Sequence, residues 1–181
     1  SGQENLPYGL AFNNDGTKLF ITGQTNRKVY EHALSTGYNL STASFTRDFD
    51  MASQETSPQG VAFNSDGTKM FIAGSTGLDI LEFALSTGFN VSTASFTDGF
   101  SVASQDTTVR DVSFNSDGTF MYVCGDGKIH LYTLSTGFDV SSASFTESFD
   151  TTANQVRIHN GSTAGGFKIG TGDFPTGTAN V

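Results

Sequence analysis

The feature that most constrains this chain is an internal repeat with a period of 51 residues. Three short motifs return in the same order in each unit. They are Phe-Asn-Asn/Ser-Asp-Gly-Thr from Phe12, Phe63 and Phe114, Leu-Ser-Thr-Gly from Leu34, Leu85 and Leu134, and Ala-Ser-Phe-Thr from Ala43, Ala94 and Ala143. Positions that recur in every unit maintain the scaffold, so a site specific to this protein must lie where the units differ.

The second unit reads as four short β-strands, which we call strands a to d. Strand a is a β-prone run at residues 60–63. It is followed by Asp-Gly, a strong hairpin signal because glycine tolerates a positive φ, and then by strand b at 69–73. Strand c is predicted at 79–85, and a longer connection leads to strand d at 94–100. We therefore predict that each unit is an antiparallel meander without a helix.

Strands b and c carry nearly continuous apolar residues, which is typical of a sheet covered on both faces. Four strands per unit, with an Asp-Gly hairpin between the first two, resemble the β-propeller repeats of the WD40-like, NHL and lactonase-like families. The resemblance covers roughly residues 7–149 and implies a fold rather than an activity. The amino-acid sequence of the repeats is also similar to that of propeller repeats in predicted surface and virion proteins of marine bacteria and phages. A β-solenoid is the structural alternative, but two hairpins per unit fit a blade better.

The resemblance implies an all-β fold: a β-propeller of four-stranded antiparallel blades, with three full blades and a partial fourth in each chain. The corresponding units are residues 6–55, 56–106 and 107–153, with the partial blade at 154–181. A single copy would leave two apolar blade faces uncovered. We therefore expect a homodimer or another self-association that completes the ring. The alternative is that the chain is a piece of a longer array.

Composition excludes several classes of partner. The chain has 18 acidic and 9 basic residues, a net charge of −9 that opposes binding to nucleic acid because no basic patch can displace counterions. Nothing resembles a signal peptide or an apolar run of membrane-spanning length, so we expect no membrane insertion. The single cysteine, Cys124, lies in the apolar run at residues 121–124 and is predicted to be a buried, inert thiol.

The candidate binding site is the mouth of the central channel. In a propeller, strand a is the innermost strand, and the loops that precede it surround the channel. The first two units are alike at the start of strand a, whereas the third and fourth differ from them. We predict a polar ring that binds a sugar, a carboxylate or a partner loop, formed by Tyr8, Gln59, Arg110, Asp111 and Arg157. The alternative is that Arg110 and Asp111 pair with each other or with neighbours and that water fills the channel.

No metal or cofactor site is predicted. The repeated Asp-Gly motif resembles the start of a calcium loop but lacks the remaining oxygen ligands, so its aspartates are expected to cap the turn. These aspartates are Asp15, Asp66 and Asp117. The histidines share no repeat position and have no zinc-ligand spacing; they are His32, His130 and His159.

No catalytic residue is predicted either. The sequence contains no Gly-x-Ser-x-Gly nucleophile motif. Glu31 and Glu82 occupy equivalent positions in strand c, too far apart to form an acid/base pair, and are expected at the outer edge of the blades.

Three hypotheses about function remain open. The first is a non-catalytic binding or structural module of a secreted, cell-surface or virion protein whose ligand is a glycan or a protein. Its Ser/Thr-rich loops at residues 35–44, 86–95 and 135–144 would provide a second contact surface. The second is a metal-dependent, lactonase-like hydrolase with a channel site near Asp111, Asn154 and Asp106. The third is an engineered or evolutionary propeller fragment that assembles into a ring and has no ligand.

Overall fold

A computed structural model of the chain describes residues 4–152, which form three four-stranded antiparallel sheets. Each strand pairs with the next one in sequence. The first sheet contains β1 (Pro7–Phe12), β2 (Lys18–Gly23), β3 (Lys28–Leu34) and β4 (Ala43–Asp50). The second contains β5 (Pro58–Phe63), β6 (Lys69–Gly74), β7 (Asp79–Leu85) and β8 (Ala94–Ser101). The third contains β9 (Asp111–Phe114), β10 (Phe120–Cys124), β11 (Lys128–Leu134) and β12 (Ala143–Asp150).

The prediction of an all-β chain built from four-stranded meanders is confirmed. Strands b and c of the second unit begin where the sequence predicted. Strand a begins two residues earlier, because Pro58 also pairs with Gly74, on the far side of a bulge that precedes Val61. The helical elements in residues 4–152 are three short 3₁₀ turns, and none is long and apolar enough to cross a membrane. The predicted partial blade at 154–181 lies outside the described residues.

The Asp-Gly motif forms the predicted hairpin between the first two strands of each sheet. In the second sheet, Asp66 Oδ1 accepts hydrogen bonds from the Thr68 amide at 3.0 Å and the Thr68 hydroxyl at 2.6 Å. Gly67 has a φ of +72°, and an added Cβ there would lie 2.3 Å from the ring of Phe89. The prediction that these aspartates cap turns is therefore confirmed, and the glycine is required by both conformation and space.

The three sheets stack in chain order. The face of a sheet that is turned toward the preceding unit is called its front face, and the opposite face is called its back face. Two apolar clusters fill the two junctions between sheets. An aromatic contact recurs in both: Phe20 on the back of the first sheet lies 4.4 Å from Phe63, and Phe71 on the back of the second lies 4.3 Å from Phe114, measured between ring centroids. The middle sheet is therefore covered on both faces.

An ion pair between a buried glutamate and a partly exposed lysine also recurs at both junctions. On the back of the second sheet, Lys69 Nζ lies 2.7 Å from Glu82 Oε1, and Glu82 Oε2 accepts a hydrogen bond from the Val140 amide of the third sheet at 3.1 Å. Lys69 also donates to the Phe138 carbonyl oxygen at 2.6 Å. The equivalent set at the first junction is Lys18, Glu31, Val91 and Phe89. The expectation that these glutamates lie at the outer edge is wrong, because they join neighbouring sheets.

The third sheet departs from this pattern on its back face. Phe120 and Leu131 occupy the positions held by the lysine and the glutamate in the other two sheets. Cys124, on the same face, is exposed, so the prediction of a buried thiol is wrong. Its equivalent in the second sheet, Ala73, is buried because a following sheet covers it. The burial of a strand residue here depends on a neighbouring sheet as well as on its own apolar surroundings.

We expect Glu82→Leu to lower the free energy of unfolding by about 2–4 kcal/mol, because it leaves the Lys69 ammonium and the Val140 amide without their partner. The measurement is chemical denaturation at neutral pH. Thr97→Leu is the control, since Thr97 is an exposed residue of the outer strand β8, and its effect should stay within about 0.5 kcal/mol. Equal effects of the two substitutions would contradict a structural role for the ion pair.

Candidate functional site

The innermost strands of adjacent sheets approach closely because two of them carry glycine at the same repeat position. An added Cβ at Gly9 would lie 2.3 Å from the carbonyl oxygen of Gln59. An added Cβ at Gly60 would lie 2.0 Å from Asp111 Oδ1. The equivalent position in the third sheet is Asp111 itself, so the missing side chain at Gly60 leaves room for the Asp111 carboxyl.

A depression of ≈ 320 Å³ lies beside these inner strands. The structure brings four of the five predicted site residues to its wall, and Arg157 lies outside the described residues. Three of the four occupy one repeat position, once in each unit, and Asp111 follows the third. The lining residues are Tyr8, Gly9, Leu10, Gln59, Arg110 and Asp111.

Tyr8 and Gln59 differ in exposure. Tyr8 is 52% exposed, so its ring offers an open aromatic surface. Gln59 is buried; its backbone carbonyl accepts a hydrogen bond from the Thr22 hydroxyl, and its side-chain Nε2 donates to Ser57 Oγ at 3.3 Å. A buried amide fixed by its neighbours can contribute a directed hydrogen bond to a ligand.

Arg110 and Asp111 do not pair with each other. Arg110 Nη2 and Nε lie 2.9 and 3.2 Å from Asp126 Oδ1, and both side chains of this pair are exposed. Asp111 Oδ1 accepts a hydrogen bond from the Val112 amide at 3.0 Å. Burial nevertheless raises the pKa of Asp111 above its ordinary value, and the Val112 hydrogen bond only partly offsets this. Asp111 is therefore a solvent-accessible carboxyl group at the wall of the depression, and its surroundings only partly desolvate it.

A pair of acidic side chains, Glu55 and Asp79, lies in the second sheet and its preceding loop. Glu55 is buried and accepts hydrogen bonds from backbone amides, including that of Gly77 at 3.0 Å. Asp79 Oδ1 is buried without a hydrogen-bond partner among the described residues. Burial first, and the Glu55 charge second, raise the pKa of Asp79 to about 6. The equivalent positions in the other sheets hold Lys28 and Lys128, so the acidic pair is specific to the second unit.

The third unit contains a serine–histidine–aspartate chain that sequence reasoning missed. His130 Nε2 lies 2.9 Å from Asp106 Oδ2, and His130 Nδ1 lies 2.8 Å from Ser148 Oγ. Burial by itself raises the pKa of Asp106, but hydrogen bonds from His130 and the Thr108 amide outweigh it, so the pKa lies below its ordinary value. Such a chain can activate a serine. The imidazole is only 1% exposed, however, so the network fixes β11 to β12 and to the preceding loop.

Alignment of the units shows that the histidine and the serine of this network occur in the third unit and not in the second. The second unit has Leu81 and Gly99 where the third has His130 and Ser148. The turn between strands b and c is two residues shorter in the third unit, at residues 125–127 against 74–78, and a fixed period of 51 residues therefore misaligns the second half of that unit. Within residues 4–152, no group of three or more His, Cys, Asp or Glu side chains is arranged to hold a metal ion.

Comparison with known families identifies one repeat. The model of the WD domain, G-beta repeat (WD40) matches residues 94–133, which span the last strand of the second sheet and the first three strands of the third. No curated protein matches the chain in sequence. The match covers a minority of the chain and agrees with the strand arrangement of the structure.

Solved structures show the fold. A Bacteroides uniformis protein provisionally described as a 6-phosphogluconolactonase superposes with a TM-score of 0.59 at 12% identity, over 86% of this chain and 45% of its own. A functionally unknown protein of Desulfotomaculum acetoxidans gives 0.57 at 17% identity, over 81% and 43%. The Swd1 β-propeller domain of Myceliophteria thermophila gives 0.52 at 10% identity, over 82% and 45%. This chain therefore has the fold of β-propeller blades and spans less than half the length of these structures.

The buried acidic pair predicts a pH-dependent stability. Because the folded-state pKa of Asp79 lies above the 3.8 of an ordinary aspartate, the contribution of Asp79 to stability is greatest below that value and is lost as the pH rises through about 6. We expect Asp79→Asn to raise the free energy of unfolding by about 1–3 kcal/mol at pH 7.5 and by much less at pH 4. Denaturation at both pH values measures this. A gain of the same size at both pH values would contradict the assignment.

Proposed function

We propose that this chain is a non-catalytic binding module that holds a neutral glycan in the depression at the channel mouth. The observation that carries the proposal is the convergence of Tyr8, Gln59, Arg110 and Asp111 on one wall. These residues differ between units that are otherwise closely similar. Since the scaffold does not require these particular side chains, a ligand is the simplest reason for their chemistry.

The side chains of this wall suit a sugar ring. An exposed aromatic ring such as Tyr8 offers an apolar surface to the C–H face of a pyranose. The Asp111 carboxyl and the Gln59 amide supply hydrogen-bonding groups for hydroxyls, and both are held by neighbouring backbone or side-chain contacts. The Arg110 guanidinium is neutralised by Asp126, and the net charge of −9 further disfavours a strongly anionic ligand. A protein loop is the other ligand class that this wall could accept.

We expect Tyr8→Ala to weaken glycan binding at least tenfold, or about 1.4 kcal/mol, because it removes the stacking surface. The full chain is first screened on an array of neutral glycans, and the strongest hit is titrated by calorimetry. Asp111→Asn should also weaken binding, because a neutral amide replaces a charged hydrogen-bond acceptor at the wall of the depression.

One variant serves as the control for that titration. Phe96→Ala removes a similarly exposed aromatic ring from β8, away from the depression. It should leave the affinity within about twofold of the parent chain. Equal losses in Tyr8→Ala and Phe96→Ala, or no glycan bound at all, would count against a sugar site. Binding of a peptide in place of a sugar would move the proposal to a protein ligand.

The cellular location that we propose is a secreted protein, a cell surface or a virion. This proposal is supported by the similarity between the amino-acid sequence of the repeats and that of propeller repeats in predicted surface and virion proteins. Glycans exposed on cells would then be accessible to the depression.

A second candidate is a metal-dependent, lactonase-like hydrolase. One similar solved structure is a periplasmic gluconolactonase of Pseudomonas aeruginosa, at 18% identity and a TM-score of 0.52. On this chain, Asp111 is the described acid that faces the depression, and a divalent ion bound beside it would polarise a lactone carbonyl.

If the hydrolase candidate is correct, millimolar calcium should raise the melting temperature of the full chain by several degrees, because a ligand bound only to the folded state stabilises it. Asp111→Asn should abolish the shift, while Asp126→Asn should retain it. A melt that calcium does not change would reject this candidate and leave the binding module.

A further inference from the structure

Two sheet faces in the described part of the chain are apolar and uncovered. On the front of the first sheet, Leu10 is 67% exposed and the adjoining Leu40 is 62% exposed. On the back of the third sheet, Tyr122 is 40% exposed and Phe149 is 57% exposed. The residues equivalent to Leu40 in the other units, Val91 and Val140, are fully buried in the two junctions between sheets. The first and third sheets thus each retain a face of the kind that forms a junction.

The two open faces carry complementary halves of the recurring aromatic contact. At each formed junction, a back-face phenylalanine contacts two front-face aromatic rings of the next sheet. Phe20 contacts Phe63 and Phe89, at centroid distances of 4.4 and 6.2 Å, and the second junction repeats this with Phe71, Phe114 and Phe138. The open back face holds Tyr122 at the first of these positions, and the open front face holds Phe12 and Tyr38 at the other two.

The departures on the two open faces match in polarity. At the formed junctions, a lysine–glutamate pair receives a valine from the next sheet. On the open back face, Phe120 and Leu131 replace the ion pair, and on the open front face Leu40 replaces the valine. Both open faces are therefore apolar at this point, and an apolar face packs best against another apolar face.

We propose that a second copy of this chain docks head to tail, with the back face of the third sheet of each copy against the front face of the first sheet of the other. Both junctions of such a pair are identical, so the ring closes and no apolar face remains exposed. Each channel depression would then adjoin the other copy.

The repeat identifies one residue pair across this junction. At the first junction, the Thr22 hydroxyl donates a hydrogen bond to the Gln59 carbonyl oxygen. Cys124 holds the position of Thr22 on the open back face, and Tyr8 holds the position of Gln59 on the open front face. In the proposed pair, Cys124 therefore lies beside the partner's Tyr8. Because Cys124 is the single cysteine of the chain, a second cysteine can report this contact.

The test is oxidation of the full-length Tyr8→Cys chain, followed by non-reducing electrophoresis and thiol counting. A closed pair gives a covalent dimer in which all four thiols are consumed. The parent chain and Thr97→Cys, with its new thiol on the exposed outer strand β8, should give little of this product. A ladder of larger species would indicate an open array, and a cross-link within one chain would mean a different packing; either result overturns the closed pair.

Light scattering provides the second measurement. We expect the parent chain at twice 19.1 kDa, and Leu40→Asp to raise the dissociation constant at least tenfold. Ser41→Asp places the same charge at the neighbouring exposed position and should leave the dissociation constant within about threefold of the parent value. Leu40 is exposed in a single copy, so an unchanged circular dichroism spectrum separates loss of assembly from unfolding. A monomeric parent chain at all concentrations would overturn the proposal, including the case in which residues 153–181 cover the back face.

Discussion

A four-stranded sheet with apolar residues on both faces needs a neighbouring sheet on each side. The middle sheet has both neighbours, and its buried residues extend into both apolar clusters. The loop before strand d serves this packing, because its 3₁₀ turn (Val91–Thr93) inserts Val91 beside Glu31 of the preceding sheet. Even the hairpin glycine at residue 67 is fixed by packing, since the Phe89 ring that rests on it also reaches Phe20. The recurring motifs therefore encode the junctions as much as the strands.

The lysine–glutamate pair makes a junction specific for one partner sheet, and apolar residues can replace the pair where this specificity is not needed. Glu82 receives an ammonium group and a backbone amide, and desolvating these groups offsets much of their attraction. Its main effect is to fix where the next sheet lies, since a misplaced sheet would leave a buried charge unpaired. Phe120 and Leu131 remove this requirement and add apolar area. A junction formed by the third sheet must therefore select its partner by shape rather than by a buried charge.

Local signals made the strands predictable, and also the position of four of the five candidate residues beside one depression. The Asp-Gly hairpin depends on residues close in sequence, and Tyr8, Gln59 and Arg110 share one repeat position, so alignment of units was sufficient to bring them together. The errors concerned contacts between sheets. Glu82 in a strand resembles a solvent-facing residue until its partner Val140 is known. Whether Cys124 is exposed or buried depends on whether a neighbouring sheet covers it. His130 was missed because its unit is two residues shorter than the period.

Residue 111 is an aspartate, whereas the first two units have a glycine at this repeat position. This difference links the candidate site to the proposed assembly. At the two formed junctions, the position without a side chain lets the next inner strand approach so closely that no Cβ would fit. Asp111 carries a side chain at this position and pairs with Cys124 of the neighbouring strand. In the proposed pair, the partner's inner strand with Tyr8 must therefore pack beside the Asp111 carboxyl rather than against a bare backbone. The proposed junction and the proposed ligand site thus share Asp111.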